Sequence, residues 1–146
     1  MTLRRQLMIA VAFVALGGVA ISSVSLYHHF SKSKTSFCDI NESFNCDLVN
    51  RSTYSTVLGV PAALIGILGY LLILALATVY REKAETPAML LIVSAAGLGF
   101  ALYLTYIEGH VLGAWCILCL TSLALISACA VLSAVLVVRS LRRVQE

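Results

Sequence analysis

Four long runs of apolar residues, separated by polar clusters, organise this sequence. They extend from about Leu7 to Leu26, Val57 to Tyr80, Ala88 to Ile107 and Trp115 to Val138, and no charged residue interrupts any of them. A helix needs about 20 residues to cross a hydrocarbon core of about 30 Å, so each run is long enough for one span. Within lipid a helix is the natural form, because every backbone group is satisfied inside its own segment. The pattern predicts an all-α, integral membrane four-helix bundle, with a long outer loop between helices 1 and 2 and short turns elsewhere.

Composition sharpens this picture. The chain has 146 residues, 60% of them hydrophobic and 12% charged, with a mean hydropathy of +0.96. A soluble domain carries roughly a quarter of its residues as charged groups, so much of this surface is expected to face lipid. The length suits a single membrane domain over residues 1–146, with no room for a second soluble module. The net charge of +3 is small and spread along the chain, which argues against a nucleic-acid surface.

Arg4 and Arg5, followed by Gly17, Gly18 and Ala20 toward the end of the first run, have the outline of a secretory signal. A signal core is usually about 7–15 residues, shorter than this run, which favours a retained first helix. Basic residues near the span ends set the orientation. Arg4, Arg5, Arg81, Lys83, Arg139, Arg142 and Arg143 lie on one side, and only Lys32, Lys34 and Arg51 on the other. Both termini and the turn from Arg81 to Thr86 are therefore expected in the cytoplasm. The loop from about Tyr27 to Thr56 and the shorter one from Glu108 to Ala114 are expected outside.

Four of the five cysteines fall on that outer side. Cys38 and Cys46 form a C-x7-C pair in the long loop, and Cys116 and Cys119 form Cys-Ile-Leu-Cys at the outer end of the fourth span. Thiols outside the cytoplasm can form and exchange disulfides. Residues i and i+3 share a helix face, and a first-turn position lies in the positive field of the helix N-terminus, where a thiolate is stabilised. Cys116 is expected nearer the water and Cys119 one turn deeper, so that one faces a protein thiol and the other a lipid-soluble acceptor. A structural zinc site wants both pairs at two-to-four-residue spacing, which C-x7-C does not offer. Cys129, three turns into the fourth helix, reads as a buried apolar filler.

These residues together resemble bacterial homologues of the vitamin K epoxide reductase family. The resemblance is carried by Phe37-Cys38-Asp39-Ile40, Asn45-Cys46-Asp47, Ser52, Leu58-Gly59-Val60-Pro61 and Trp115-Cys116-Ile117-Leu118-Cys119. Its most specific feature is the order, a spaced pair before Cys-x-x-Cys. The disulfide-bond-formation B type enzymes, the nearest alternative, carry Cys-x-x-Cys in the first outer loop instead.

The resemblance implies a bundle around a quinone of the ubiquinone or menaquinone type, in the inner (cytoplasmic) membrane. It implies that Cys116 and Cys119 are the active couple, Cys119 meeting the quinone and Cys116 receiving electrons. Cys46 then exchanges with Cys116, and Cys38 with an external thioredoxin-fold thiol oxidase. Ser52, six residues after Cys46, matches a serine that recurs near the couple in this family. Where vertebrate members have a tyrosine, seven residues after the first cysteine of Cys-x-x-Cys, this chain has Leu123, which favours an ordinary membrane quinone over vitamin K epoxide. Relatives with a fused thioredoxin-like domain continue past the fourth span. This sequence stops at Glu146, so the partner is expected to be a separate polypeptide.

The remaining features carry less specific signals. His28, His29 and His110 read as interface or solvated residues rather than haem or metal ligands. Glu108 and His110 lie close enough in sequence to the couple to tune it, although the spacing does not require this. Ala62, Gly66 and Gly69, with Gly59 before them, suggest close helix contact more than a quinone slot. Pro61 suits a helix start, with Ser55 or Thr56 as its cap. Lys32 and Lys34 among Ser31, Ser33, Thr35 and Ser36 read as a connector suited to a shuttling loop. No span shows a charged or clearly hydrogen-bonding residue at depth, so quinone contacts are expected to be mostly apolar. The remaining alternative class is a non-enzymatic membrane subunit whose loop is stapled by disulfides.

Overall fold

The computed structural model describes residues 2–30, 56–113, 115 and 117–146. These form α1 (Leu3–Phe30), a hairpin of β1 (Thr56–Val57) and β2 (Val60–Pro61), α2 (Ala62–Thr78), α3 (Thr86–Ile107) and α4 (Ile117–Gln145). A π-helical turn, Glu108–Leu112, continues α3. Three of these helices, α1, α3 with its continuation, and α4, are long and apolar enough to cross a membrane. With 17 residues, α2 is a shorter apolar helix. The all-α class expected from the sequence is the one observed.

Helix α1 packs against α2 and α4, α3 packs mainly against α4, and a lighter contact between α2 and α3 closes the ring. Close approaches at glycines give the directions. Gly18 faces Tyr70 and Gly66 faces Ser22, while Gly97 faces Ile126 and Gly109 faces Trp115. Numbers rise along one helix as they fall along its neighbour, so α1 and α2 run antiparallel, as do α3 and α4. At one end the Arg4 guanidinium donates hydrogen bonds to the carbonyl oxygens of Arg81 and Lys83, each at 2.8 Å. That tie puts the start of α1 beside the α2–α3 turn, at the same end as the last turns of α4 with Arg142 and Arg143. The basic residues assigned to one side thus gather at one end of the bundle. Lys32, Lys34 and Arg51 lie outside the described residues.

The core follows helical spacing. Met8, Val11 and Ala15 from α1 meet Tyr70, Ile73, Leu76 and Ala77 from α2, Leu90 from α3, and Ile126, Cys129 and Leu136 from α4. Several hydroxyls in the spans bond back to the carbonyl four residues earlier. Ser23 does so to Val19 at 2.7 Å, Thr105 to Ala101 at 2.8 Å, Thr121 to Ile117 at 2.8 Å and Ser127 to Leu123 at 2.7 Å. Such back-bonding lets a polar side chain sit in an apolar span without an unmet partner. The buried hydroxyls of Ser94 and Ser133, by contrast, have no hydrogen-bond partner among the described residues.

Helix α1 extends past both ends of the expected span Leu7–Leu26 and α4 past the far end of Trp115–Val138, each by continuing beyond the apolar run, and two other boundaries differ in kind. The second helix starts at Ala62 rather than Val57, because Val57 and Val60 pair across a tight turn. Leu58 (φ 53°) and Gly59 (φ 82°) occupy that turn, both left-handed as a two-residue hairpin of this type requires. Thr56 therefore pairs with Pro61 instead of capping the helix. Pro61 is itself the N-cap residue, with no side-chain cap bond, and Ser55 lies outside the described residues. The second difference is the stretch after Ile107, expected as a loop from Glu108. It stays helical to Leu112 and stops at Gly113, whose left-handed φ of 66° is the ordinary way for a helix to end.

Candidate thiol redox site

Helix α4 carries one seam of inward positions. Cys119, Ser122, Ile126, Cys129, Ser133 and Leu136 follow one another at spacings of three and four, and the last four of these are buried. The helix begins at Ile117, so half-buried Cys119 stands in its first turn. There the unpaired backbone N–H groups and the macrodipole act together on the sulfur. Cys116 precedes the helix and, with Cys38, Cys46 and Ser52, lies outside the described residues. Leu123 is half-buried one turn beyond Cys119. Cys129 is 0% exposed and forms part of the core cluster, as expected of an apolar filler.

Tyr70 is the site residue that the sequence reading overlooked. Its hydroxyl donates to the Ser122 carbonyl oxygen at 2.8 Å and lies 3.0 Å from Ser122 Oγ. In a ring ordered α1, α2, α3, α4, this contact crosses the diagonal from α2 to α4. The crossing needs space, which Gly18 of α1 supplies: a methyl group there would fall within the Tyr70 ring. Ser122 is one turn inward of Cys119 along α4, so the pair of hydroxyls lies deeper in the bundle than that cysteine. The expectation that no clearly hydrogen-bonding residue lies at depth in a span is corrected by this pair. A signal was present, since Tyr70 is the single polar side chain between Ala62 and Ala77. Replacing Tyr70 with phenylalanine should lower thermal stability in detergent by about 1 kcal/mol, the usual size of an interhelical hydrogen bond. Ser122→Ala should cost less, because the carbonyl acceptor remains.

The π-helical turn separates two residues that the sequence grouped together. Glu108 is 1% exposed. His110 is exposed, its Nδ1 donates to the Tyr106 carbonyl oxygen at 3.3 Å, and its ring stacks on Tyr106 with centroids 4.4 Å apart. Trp115 packs on Gly109, where a Cβ would lie 2.9 Å from the indole edge. The small residues of α2 divide as well. Gly66 admits Ser22 of α1, a close helix contact, whereas among the described residues nothing approaches Gly69, and Gly59 serves the hairpin turn.

A quinone is a flat apolar ring with two carbonyl acceptors. One turn inward of Cys119 along α4, the Ser122 hydroxyl with the Tyr70 hydroxyl beside it gives a polar point in an otherwise apolar span, and this suits such a group. The fold and this site define a helical membrane protein with a thiol on its inward seam at one end of the bundle. The model of the Vitamin K epoxide reductase family matches residues 9–134, and the chain belongs to that family. Members of the family are membrane oxidoreductases that link thiol–disulfide exchange to quinones, generally with a thioredoxin-like partner.

Proposed function

We propose that this protein generates disulfides for exported proteins by oxidising an external thioredoxin-fold thiol oxidase and passing the electrons to a membrane quinone of the ubiquinone or menaquinone type. The observation that carries the reading is the place of Cys119, in the first turn of α4 and on the seam that faces the bundle interior. A sulfur there can serve an acceptor dissolved in the membrane, while Cys116, just ahead of the helix, is left for the aqueous side.

The exchange steps follow ordinary thiol chemistry. A thiolate of the partner attacks the Cys38–Cys46 disulfide at Cys38, and the second thiol of the partner resolves the mixed disulfide, leaving the partner oxidised and the loop pair reduced. Cys46 then attacks the Cys116–Cys119 disulfide at Cys116, and Cys119 leaves as a thiolate. Cys38 closes on Cys46 and releases Cys116 as a thiol. Each transfer needs a thiolate and a reachable sulfur. When bound, the quinone supplies an acceptor for two electrons and two protons. Ser52 offers a hydroxyl beside the couple, and Leu123 an apolar wall where vertebrate members have a tyrosine. In this reading both termini are cytoplasmic and the cysteine loops face outward, in keeping with the grouping of Arg4, Arg81 and Arg142 at one end.

The test is quinone reduction by the purified protein with a reduced thioredoxin-fold donor or with a small dithiol. The native chain should turn over with both donors. Cys38→Ala should lose turnover with the protein donor and keep it with the small dithiol, which can reach the inner couple directly. A native chain that holds its cysteines as fixed disulfides and reduces no quinone is instead a stapled membrane subunit.

A further inference from the structure

Glu108 is shut away from water, at 1% exposed, within a stretch apolar and long enough to cross a membrane. Among the described residues it is the only buried acidic or basic side chain. An ionisable group in such a place is expensive to keep, and by default it is functional. Two local features set it at the redox end. Glu108 opens the π-helical turn, a geometry frequent at functional sites. The Trp115 indole lies over Gly109, the next residue, and Trp115 directly precedes Cys116. Glu108 therefore lies at the end of the bundle where α4 begins, and Cys119 stands in the first turn of that helix.

Other ionisable groups reach the same end of the bundle: among the described residues Tyr106 lies on α3 and Tyr27 near the end of α1, whose last turn also carries His28 and His29. On the turn of Glu108 itself there is His110, exposed and stacked on Tyr106. From α4 there is Cys119, with Cys116 just ahead of the helix, and α2 offers none before Tyr70. A carboxyl closed off from solvent exchanges its proton with groups inside the site. If Cys119 is to act as a thiolate, a carboxylate beside it would make two like charges in one interior, and these repel strongly where the dielectric is low.

We propose that Glu108 holds one of the two protons of the reduced couple, standing as the neutral acid while Cys119 stands as a thiolate. This rests on the thiol–quinone reading given above. The reduced site then contains a thiol at Cys116, a thiolate at Cys119 and an acid at Glu108. On oxidation the bond between the two sulfurs forms and the electron pair passes to the quinone. Two protons follow, one from Cys116 and one from Glu108, and Glu108 is left as a carboxylate. Re-reduction by an external dithiol returns one proton to each holder. The site carries a single negative charge in both states.

The experiment is redox-difference infrared spectroscopy on the full chain in detergent without quinone, comparing protein reduced by a small dithiol with protein oxidised to the disulfide. The reduced form should show the carbonyl stretch of a protonated carboxylic acid, and the oxidised form should lack it. Glu108→Gln should remove this band and Glu108→Asp should move it. With quinone added, Glu108→Gln should reduce it about a hundredfold more slowly than the native chain, the usual worth of a placed proton donor. A native protein with no redox-dependent acid band, or a Glu108→Gln variant as fast as native, overturns the proposal. If Glu108→Gln does not fold, the native band and its movement in Glu108→Asp decide. If the native chain reduces no quinone, the thiol–quinone reading fails, and the band in quinone-free protein still decides the role of Glu108 separately.

Discussion

Replacing Cys119 with alanine is expected to bring quinone reduction down to background, with the protein donor and with a small dithiol alike. Cys119 stands on the inward seam of α4, so in the proposed path every electron leaves the protein through its sulfur, whichever donor supplied it. Loss of a group that every path shares removes the whole activity rather than a fraction of it. Cys129→Ala is the matched control, since that thiol is buried two turns or more further along the same seam and lies in the packed core. It should keep the native rate and lose about 1 kcal/mol of stability or slightly more, the cost of a small cavity. A Cys119→Ala chain that still turns over with dithiol would show that the electrons exit elsewhere.

The second large effect is expected at Gly18. A methyl group on this residue would overlap the ring of Tyr70, which is 4% exposed and anchored at its far end by Ser122. Neither the ring nor α1 can yield without breaking the contact across the bundle. Overpacking of this kind typically costs 1–3 kcal/mol, so Gly18→Ala should lose about 2–3 kcal/mol and Gly18→Leu should fail to accumulate as folded protein. The neighbouring position provides an internal contrast. A methyl at Gly17 would meet Leu125 at 3.8 Å, ordinary contact, and Gly17→Ala should be neutral or slightly stabilising through its better helix propensity. Thermal unfolding in one detergent compares all three variants. Because the Gly18 penalty comes from the Tyr70 ring, the double variant Gly18→Ala/Tyr70→Ala should cost less than the sum of the two single changes. Strict additivity would mean that the two residues do not share the space.

Much of this was readable from the chain itself. Apolar runs of about membrane length announce helices because lipid leaves the backbone no other partner than itself. The C-x7-C pair ahead of Cys-x-x-Cys carried the family resemblance, and the family match over residues 9–134 agrees with it. The helix ends were read less well, and for identifiable reasons. Val57 and Leu58 are apolar, so they merged with the helix that follows, although Gly59 and Pro61 were turn and helix-start signals lying in plain view. Glu108, Gly109 and His110 looked like a polar break. A helix can nevertheless continue through a short polar stretch when one member turns inward and the others face out, as Glu108 and His110 do.

The sequence alone determined the helical membrane character, the gathering of basic residues, and the cysteine pattern that carries the family resemblance. These depend on composition and on local spacing, and both are properties of the chain before it folds. Only the tertiary structure decided that Tyr70 reaches across the bundle to Ser122, that Gly18 makes room for it, and that Glu108 is buried while His110 is not. Those facts join residues on different helices, or choose between two faces of one turn. Helical periodicity says which residues share a face, but the partner a face meets is settled only when four helices pack and their side chains compete for the same interior volume.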